Sequence, residues 1–138
     1  MTISGECFCG DVKYQISGPL TDPRSCHCSR CRKAFSSQAS HYALVNPEDF
    51  VWLQGEDLLT SYVGEPGFGL RFCSVCGSTL CGTFAGQVHG ITLGTLNEEP
   101  ELAEVHHIYV ESKAGWETLP ANVTTFAEGR DPQDLRDQ

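Results

Sequence analysis

Residues 71–80 read RFCSVCGSTL, and the fold is best reasoned from the run Cys73, Ser74, Val75, Cys76, Gly77 inside them. Two cysteines three positions apart, closed by a glycine free to take the left-handed conformation, have the form of a zinc knuckle. In a knuckle a tight turn aims both thiolates at one ion. The alternative is a redox CxxC, whose second cysteine normally continues into a helix; Gly77, Ser78 and Thr79 discourage one. A knuckle supplies two sulfurs and needs two more, which GECFCGDVKY at residues 5–14 offers as Cys7 and Cys9. On an extended chain residues two apart face the same side, with Cα atoms about 6.6 Å apart, near the upper limit for a disulfide. Metal is the easier partner for that pair. Cys7, Cys9, Cys73 and Cys76 thus make the four-sulfur set of a closed structural zinc, joining parts of the chain 64 residues apart.

Between these pairs lies CHCSRCRK, residues 26–33, with Cys26, Cys28 and Cys31 inside six positions. Three thiols occupy three corners of a tetrahedron and leave one for an exchangeable water or reactant, the ligand count of a catalytic zinc. The expected cofactor content is therefore two zinc ions, one structural and one catalytic. Two alternatives stay open: Cys81 or a histidine fills the fourth corner and closes the site, or Cys81, next to Leu80, is a small buried hydrophobe. Arg24, Arg30, Arg32 and Lys33 are four of the nine basic residues and surround this triad. They suit a substrate bearing carboxylates, with Arg30, Arg32 and Lys33 as candidate contacts. They equally suit neutralising a zinc trithiolate or lying solvated. His27, between two ligands, points away from the metal if the chain there is extended. His41, His89, His106 and His107 fall in strand-like stretches, where sheet-surface or hydrogen-bonded histidines are the commoner outcome. Trp52, Trp116, Phe50, Phe72 and Phe84 read as core.

Away from the cysteines the chain reads mainly as β. Val12, Tyr14 and Ile16 alternate with polar residues until Gly18 and Pro19, the pattern of a half-buried strand. Further strands are expected at Ser40 to Val45, Phe50 to Leu53, Leu58 to Val63, Val88 to Leu96 and His106 to Glu111, between Gly, Pro, Asn and Asp turns. Short helical turns are expected at Asn46 with Pro47, and over Ser29 to Ala34. At 138 residues the chain fits one domain, read here as residues 1–127, with residues 128–138 an acidic tail lacking apolar support.

Eighteen acidic against nine basic residues give a formal charge of -9, the wrong sign for a protein held to nucleic acid by phosphate neutralisation. No apolar run reaches the roughly 18 residues of a spanning helix, so no membrane partner is expected. Met1 to Glu6 hold neither a basic nor an apolar leader segment, which predicts a cytoplasmic location and reduced thiols, better suited to ligation than to disulfides.

The order GECFCGDVKY, CHCSRCRK, RFCSVCGSTL resembles the glutathione-dependent formaldehyde-activating enzyme family, which includes the centromere protein V type. Phe50 to Trp52 before Gly55, Tyr62, LGTLNEEP at residues 93–100 and HIYVESKAGW at residues 107–116 extend the resemblance over most of the chain. It implies an Mss4-like β-tent of small antiparallel sheets held by zinc. It also implies a structural zinc on Cys7, Cys9, Cys73 and Cys76 and a second on Cys26, Cys28 and Cys31. The activity implied is the conversion between glutathione plus formaldehyde and S-hydroxymethylglutathione, formally a carbon-sulfur lyase. The sequence departs from the family pattern in AFSSQASHY, residues 34–42, which lacks a glycine, and in LPANVTTF, residues 119–126. Both stretches are expected beside the pocket.

The leading expectation is a zinc enzyme acting on a small-molecule thiol and a small aldehyde at Cys26, Cys28 and Cys31. The rival from another class is a non-catalytic zinc-folded binding module, favoured by a closed second site. A zinc-containing methionine sulfoxide reductase is a third reading; it needs a free nucleophilic cysteine, and nothing in the sequence around Cys81 activates it.

Overall fold

The computed structural model describes residues 2–64 and 67–129, so the charged stretch from Arg130 onward lies outside the described residues. Strands β1 (Ile3–Glu6), β2 (Lys13–Ile16) and β5 (Phe50–Gln54) form a three-stranded antiparallel sheet in the order β1-β2-β5. The second sheet contains β3 (Thr21–Cys26), β4 (Ser40–Leu44), β6 (Leu59–Val63), β7 (Phe68–Cys73), β8 (Thr79–Phe84), β9 (Gln87–Thr92) and β10 (His106–Ile108). Its order is β10-β3-β4-β9-β8-β7-β6. The mainly β architecture with little helix is thus present, although this sheet is seven strands wide and β10 joins β3 in parallel. The α-helix among the described residues is α1 (Ser29–Phe35), which leaves the end of β3 and crosses to β4. No described helix is long and apolar enough to cross a membrane.

Alternation in β2 explains how the sheets stack. Tyr14 and Ile16 are fully buried while Lys13 is exposed, and with Ile3 and Val12 they pack against Val45, Leu80, Val88 and Ile91 of the larger sheet and its margin. Each such side chain contributes roughly 1.5–3 kcal/mol when fully buried. Tyr14 lies across Gly5, its partner in the β1–β2 register, where a Cβ would stand 2.2 Å from the ring, and its hydroxyl reaches Thr95 Oγ1 at 2.7 Å. A second, smaller core gathers Cys26, Cys28, Ile108 and Tyr109 with Tyr42 and Phe126 at the β10 end.

Ser40 to Val45 and Leu58 to Val63 each lose one residue, as Ser40–Leu44 and Leu59–Val63, and two other expected strands are shortened further. Val88 to Leu96 ends at Thr92, where Leu93–Thr95 winds into a 3-10 turn. His106 to Glu111 ends at Ile108, because Tyr109 adopts a φ of 56° and opens another such turn. Conversely, TDPRSC forms β3 although it carries Pro23 and no apolar alternation. It is paired on both sides, and the register shift between Thr21 and Arg24 accommodates Asp22, at φ 51°, and the proline.

Candidate metal centres and the adjoining cavity

The four-sulfur group is built by two turns, each closed by a glycine at positive φ. Gly10 donates its N–H to Cys7 O at 3.0 Å with φ 82°, and Gly77 donates to Cys73 O at 2.8 Å with φ 83°. The extended course expected for Cys7 and Cys9 is therefore replaced by a turn. Cys7 N–H already bonds Val12 O at 3.1 Å, so the residues between must reverse tightly. Phe8 N–H bonds Ser78 Oγ at 2.8 Å and fastens one turn to the other. The four sulfurs lie within 4.8 Å of one another. Cys7 and Cys9 Sγ are 3.6 Å apart and Cys9 and Cys73 Sγ 3.9 Å, close to the about 3.8 Å edge of a tetrahedron with 2.3 Å metal–sulfur bonds. Hydrogen bonds from the Ser78 hydroxyl and N–H lower the Cys76 thiol to about 5. This group can hold a metal ion with every ligand supplied by sulfur.

The second group forms where β3 hands over to α1. His27 N–H bonds Ile108 O at 3.0 Å, which carries the β10–β3 pairing one residue past the strand. Cys28 then caps the helix: its backbone is extended and its Sγ accepts the Cys31 N–H at 3.3 Å. Cys26, Cys28 and Cys31 bring their sulfurs within 4.8 Å. The crowding is costly without a cation. Hydrogen bonds to Cys28 and Cys31, together with burial, push the Cys26 thiol far up. For Cys31 the bond to Cys26 pulls down, yet Cys28 and burial outweigh it and push the thiol up to about 12. A divalent ion replacing those shared protons relieves the conflict, so this group too can hold a metal. Among the described residues no histidine, cysteine or carboxylate joins it as a fourth ligand. No two cysteines are joined in a disulfide; Cys81 is fully buried in the first core with Leu80 and Ile91, as a small hydrophobe would be.

Behind this triad the sheet carries a polar cluster that sequence reasoning missed. His27, fully buried, places Nε2 2.9 Å from His107 Nδ1 and Nδ1 3.0 Å from Glu117 Oε1, and it is outside the three-sulfur group. Ser25 Oγ and His41 Nδ1 are 2.6 Å apart. Burial lowers the pKa of His27, His41 and His107, which favours neutral, hydrogen-bonded rings. The signal was that His27, His41 and His107 lie beside one another in the β10-β3-β4 order, a topology with no short-range sequence mark.

In front of the triad is a cavity of about 320 Å³ whose wall includes Cys31. From α1 come Arg30, Ala34 and Phe35, from β4 Ser40 and Tyr42, from β6 Tyr62, and from β7 Phe68, Gly69 and Leu70. Gly82, Thr83, His89, Gly90 and Thr92 of β8 and β9 complete it. Of the stretches outside the family pattern, residues 34–42 line this cavity, whereas Phe126 of residues 119–126 packs on the small core behind the cysteines. The basic residues separate. Arg30 is at the cavity wall; Arg24 is buried against Asp22, with its guanidinium 5.7 Å from the Tyr42 ring centre. Arg32 Nη2 donates to Ser112 O at 3.3 Å, and Lys33 is exposed; both sit in the last turn of α1, where cations complement the helix dipole.

A Halomonas elongata protein, provisionally named a glutathione-dependent formaldehyde-activating enzyme, is 28% identical over 126 residues, covering 84% of this chain and 80% of that one. A crystal structure of a Rhodobacter sphaeroides protein superimposes with a TM-score of 0.54 at 23% identity, covering 72% of this chain and 99% of that one, which establishes likeness of fold. The family model of the glutathione-dependent formaldehyde-activating enzymes matches residues 2–112, from before the first cysteine turn to beyond the last strand, and the chain belongs to that family.

Proposed function

We propose that the chain is a zinc-dependent enzyme of carbon-sulfur chemistry, joining a thiol such as glutathione to a small aldehyde such as formaldehyde and separating them in reverse. The observation that carries this reading is that Cys31 belongs both to the three-sulfur group and to the cavity wall, whereas no member of the four-sulfur group lines that cavity. The family membership supports the reactants. Zinc bound by Cys26, Cys28 and Cys31 would supply a Lewis acid for a carbonyl oxygen or a site for a thiolate. Cys26 and Cys28, both buried, fix the position of that group; Cys31, on α1, borders the reactants. Arg30 offers a guanidinium to a substrate carboxylate at the cavity wall, while Arg32 and Lys33 add positive field from the far end of α1. In the forward direction the carbon–sulfur bond forms, the carbonyl becomes a hydroxyl, and the thiol hydrogen passes to that oxygen, so no oxidant or reductant is needed. The four cysteines at Cys7, Cys9, Cys73 and Cys76 would hold the second zinc as a structural ion.

The test is glutathione and formaldehyde exchange followed by NMR with zinc-loaded protein. Acceleration that disappears in Cys28→Ser supports the reading. A rate equal to the uncatalysed one and indifferent to Cys28→Ser rejects this reactant pair.

A further inference from the structure

The cavity beside Cys31 has a floor without side chains. Gly82 and Gly90 are partners in the β8–β9 register, and the Tyr42 ring rests over Gly90, where a Cβ would come within 2.9 Å of Cδ2. Gly82 differs: its φ lies outside the left-handed region, and a Cβ there would meet only Gly69 O, at 3.7 Å. Neither conformation nor crowding demands glycine at 82, so what the residue supplies is empty space on the cavity floor. Aromatic and apolar walls rise around it, from Tyr42, Phe68 and Leu70, with Tyr62 at the exposed edge strand. Two hydroxyls of the same wall, Ser40 Oγ and Thr92 Oγ1, are buried without a hydrogen-bond partner among the described residues. Ser40 is 1% exposed. A hollow walled mainly by rings and aliphatic groups, with Arg30, Thr83 and His89 among its few polar members, is the pattern of a ligand site with a small number of orienting groups.

We propose that this cavity selects a reactant carrying an apolar body, a phenyl ring or a branched alkyl group. That body would lie on the Gly82–Gly90 floor, with the reacting carbon towards Cys31. The inference rests on the carbon-sulfur reading and narrows its substrate class. Formaldehyde leaves the floor unfilled, and away from Arg30 the charged groups of glutathione would meet walls made largely of rings and aliphatic groups. The apolar body can belong to the aldehyde or to the thiol, and the step balances either way. Sulfur bonds to the carbonyl carbon, the carbonyl π bond is given up, and the thiol hydrogen ends on the former carbonyl oxygen.

Benzaldehyde and phenylmethanethiol are the probes, each titrated into the zinc-loaded full chain while aromatic side-chain NMR signals are followed. Exchange rates are then measured for benzaldehyde with glutathione, phenylmethanethiol with formaldehyde, and glutathione with formaldehyde. The expected result is saturable shifts of the Tyr42 and Phe68 signals with one ring-bearing probe, which identifies the reactant that carries the apolar body. Gly82→Leu is expected to weaken that binding about tenfold or more by filling the floor. Tyr62→Ala, at an exposed position that tolerates change, weakens it about three- to tenfold. Neither probe shifting these signals, or equal binding to both variants and the parent, overturns the inference. Acceleration of glutathione with formaldehyde alone, without ring binding, overturns the inference and leaves the carbon-sulfur reading standing. Ring binding sensitive to Gly82→Leu, with no pair accelerated, upholds the cavity and overturns that reading.

Discussion

Cys28 Sγ accepts the backbone N–H of Cys31 at 3.3 Å, so one side chain both caps α1 and supplies a sulfur to the three-cysteine group. The helix and the candidate metal centre are therefore positioned by the same residue. Cys31 follows one turn later, carried to the cavity wall by the helix that Cys28 begins.

Cys28→Ser separates the two roles. Serine is a good N-cap and keeps the helix start, but its neutral hydroxyl is a poor zinc ligand. We expect an unchanged far-UV circular dichroism spectrum, loss of one zinc per chain by elemental analysis, and exchange at the uncatalysed rate. Retention of both zinc ions would exclude Cys28 as a ligand.

The four-sulfur group has a different consequence. Structural zinc binding is worth about 10–16 kcal/mol in small zinc domains, comparable to the about 5–15 kcal/mol stability of a whole domain. Cys73→Ala is therefore expected to abolish cooperative thermal unfolding, while Cys31→Ala keeps a cooperative transition. Equal melting of the two variants would contradict a division into structural and reactive sites.

Cys81 provides a pH prediction. Burial pushes its thiol up from 9.0 to about 12, so folding favours the protonated form. A raised acid constant in the folded state gives stability that is full below about 9 and is lost as pH rises towards about 12. Cys81→Ala should reduce this alkaline loss in a pH series of denaturant unfolding curves and leave the zinc content at two. In the native parent at pH 8 Cys81 should resist iodoacetamide, since the thiolate is the reactive form.

Gly5 and Tyr14 test the stacking of the sheets. A Cβ at Gly5 would overlap the Tyr14 ring, so Gly5→Ala is expected to cost about 1–3 kcal/mol, the usual range for an overpacked core. Tyr14→Phe removes only the hydroxyl contact with Thr95 and should cost about 1 kcal/mol. Denaturant midpoints decide between them, and a neutral Gly5→Ala would contradict the packing.

Much of this arrangement was legible in the sequence because short motifs carry their own geometry. Gly77 after Cys76 signals the turn it makes, and Tyr14 and Ile16 signal the face they bury. The Cys7 turn has no such mark, since Gly10 closes it alongside the Cys7–Val12 pairing, which Cys7 and Cys9 alone do not signal. β3 was hidden because its pairing on both sides, rather than its own residues, makes TDPRSC a strand. The cavity was invisible for the same reason: Cys31, Tyr42, Gly82 and Gly90 meet through strand order, and a glycine valued for empty space looks in sequence like a turn. Of the basic residues near the triad, sequence proximity could not separate Arg30 at the wall from Arg24, which is turned into the fold beside Asp22.

The most direct test is zinc K-edge X-ray absorption on the purified chain, joined to elemental analysis. Two zinc ions sharing seven sulfur ligands are expected, with the remaining position taken by a light atom that a bound thiol replaces. Eight sulfurs without added thiol, or a single zinc held by four, would contradict this.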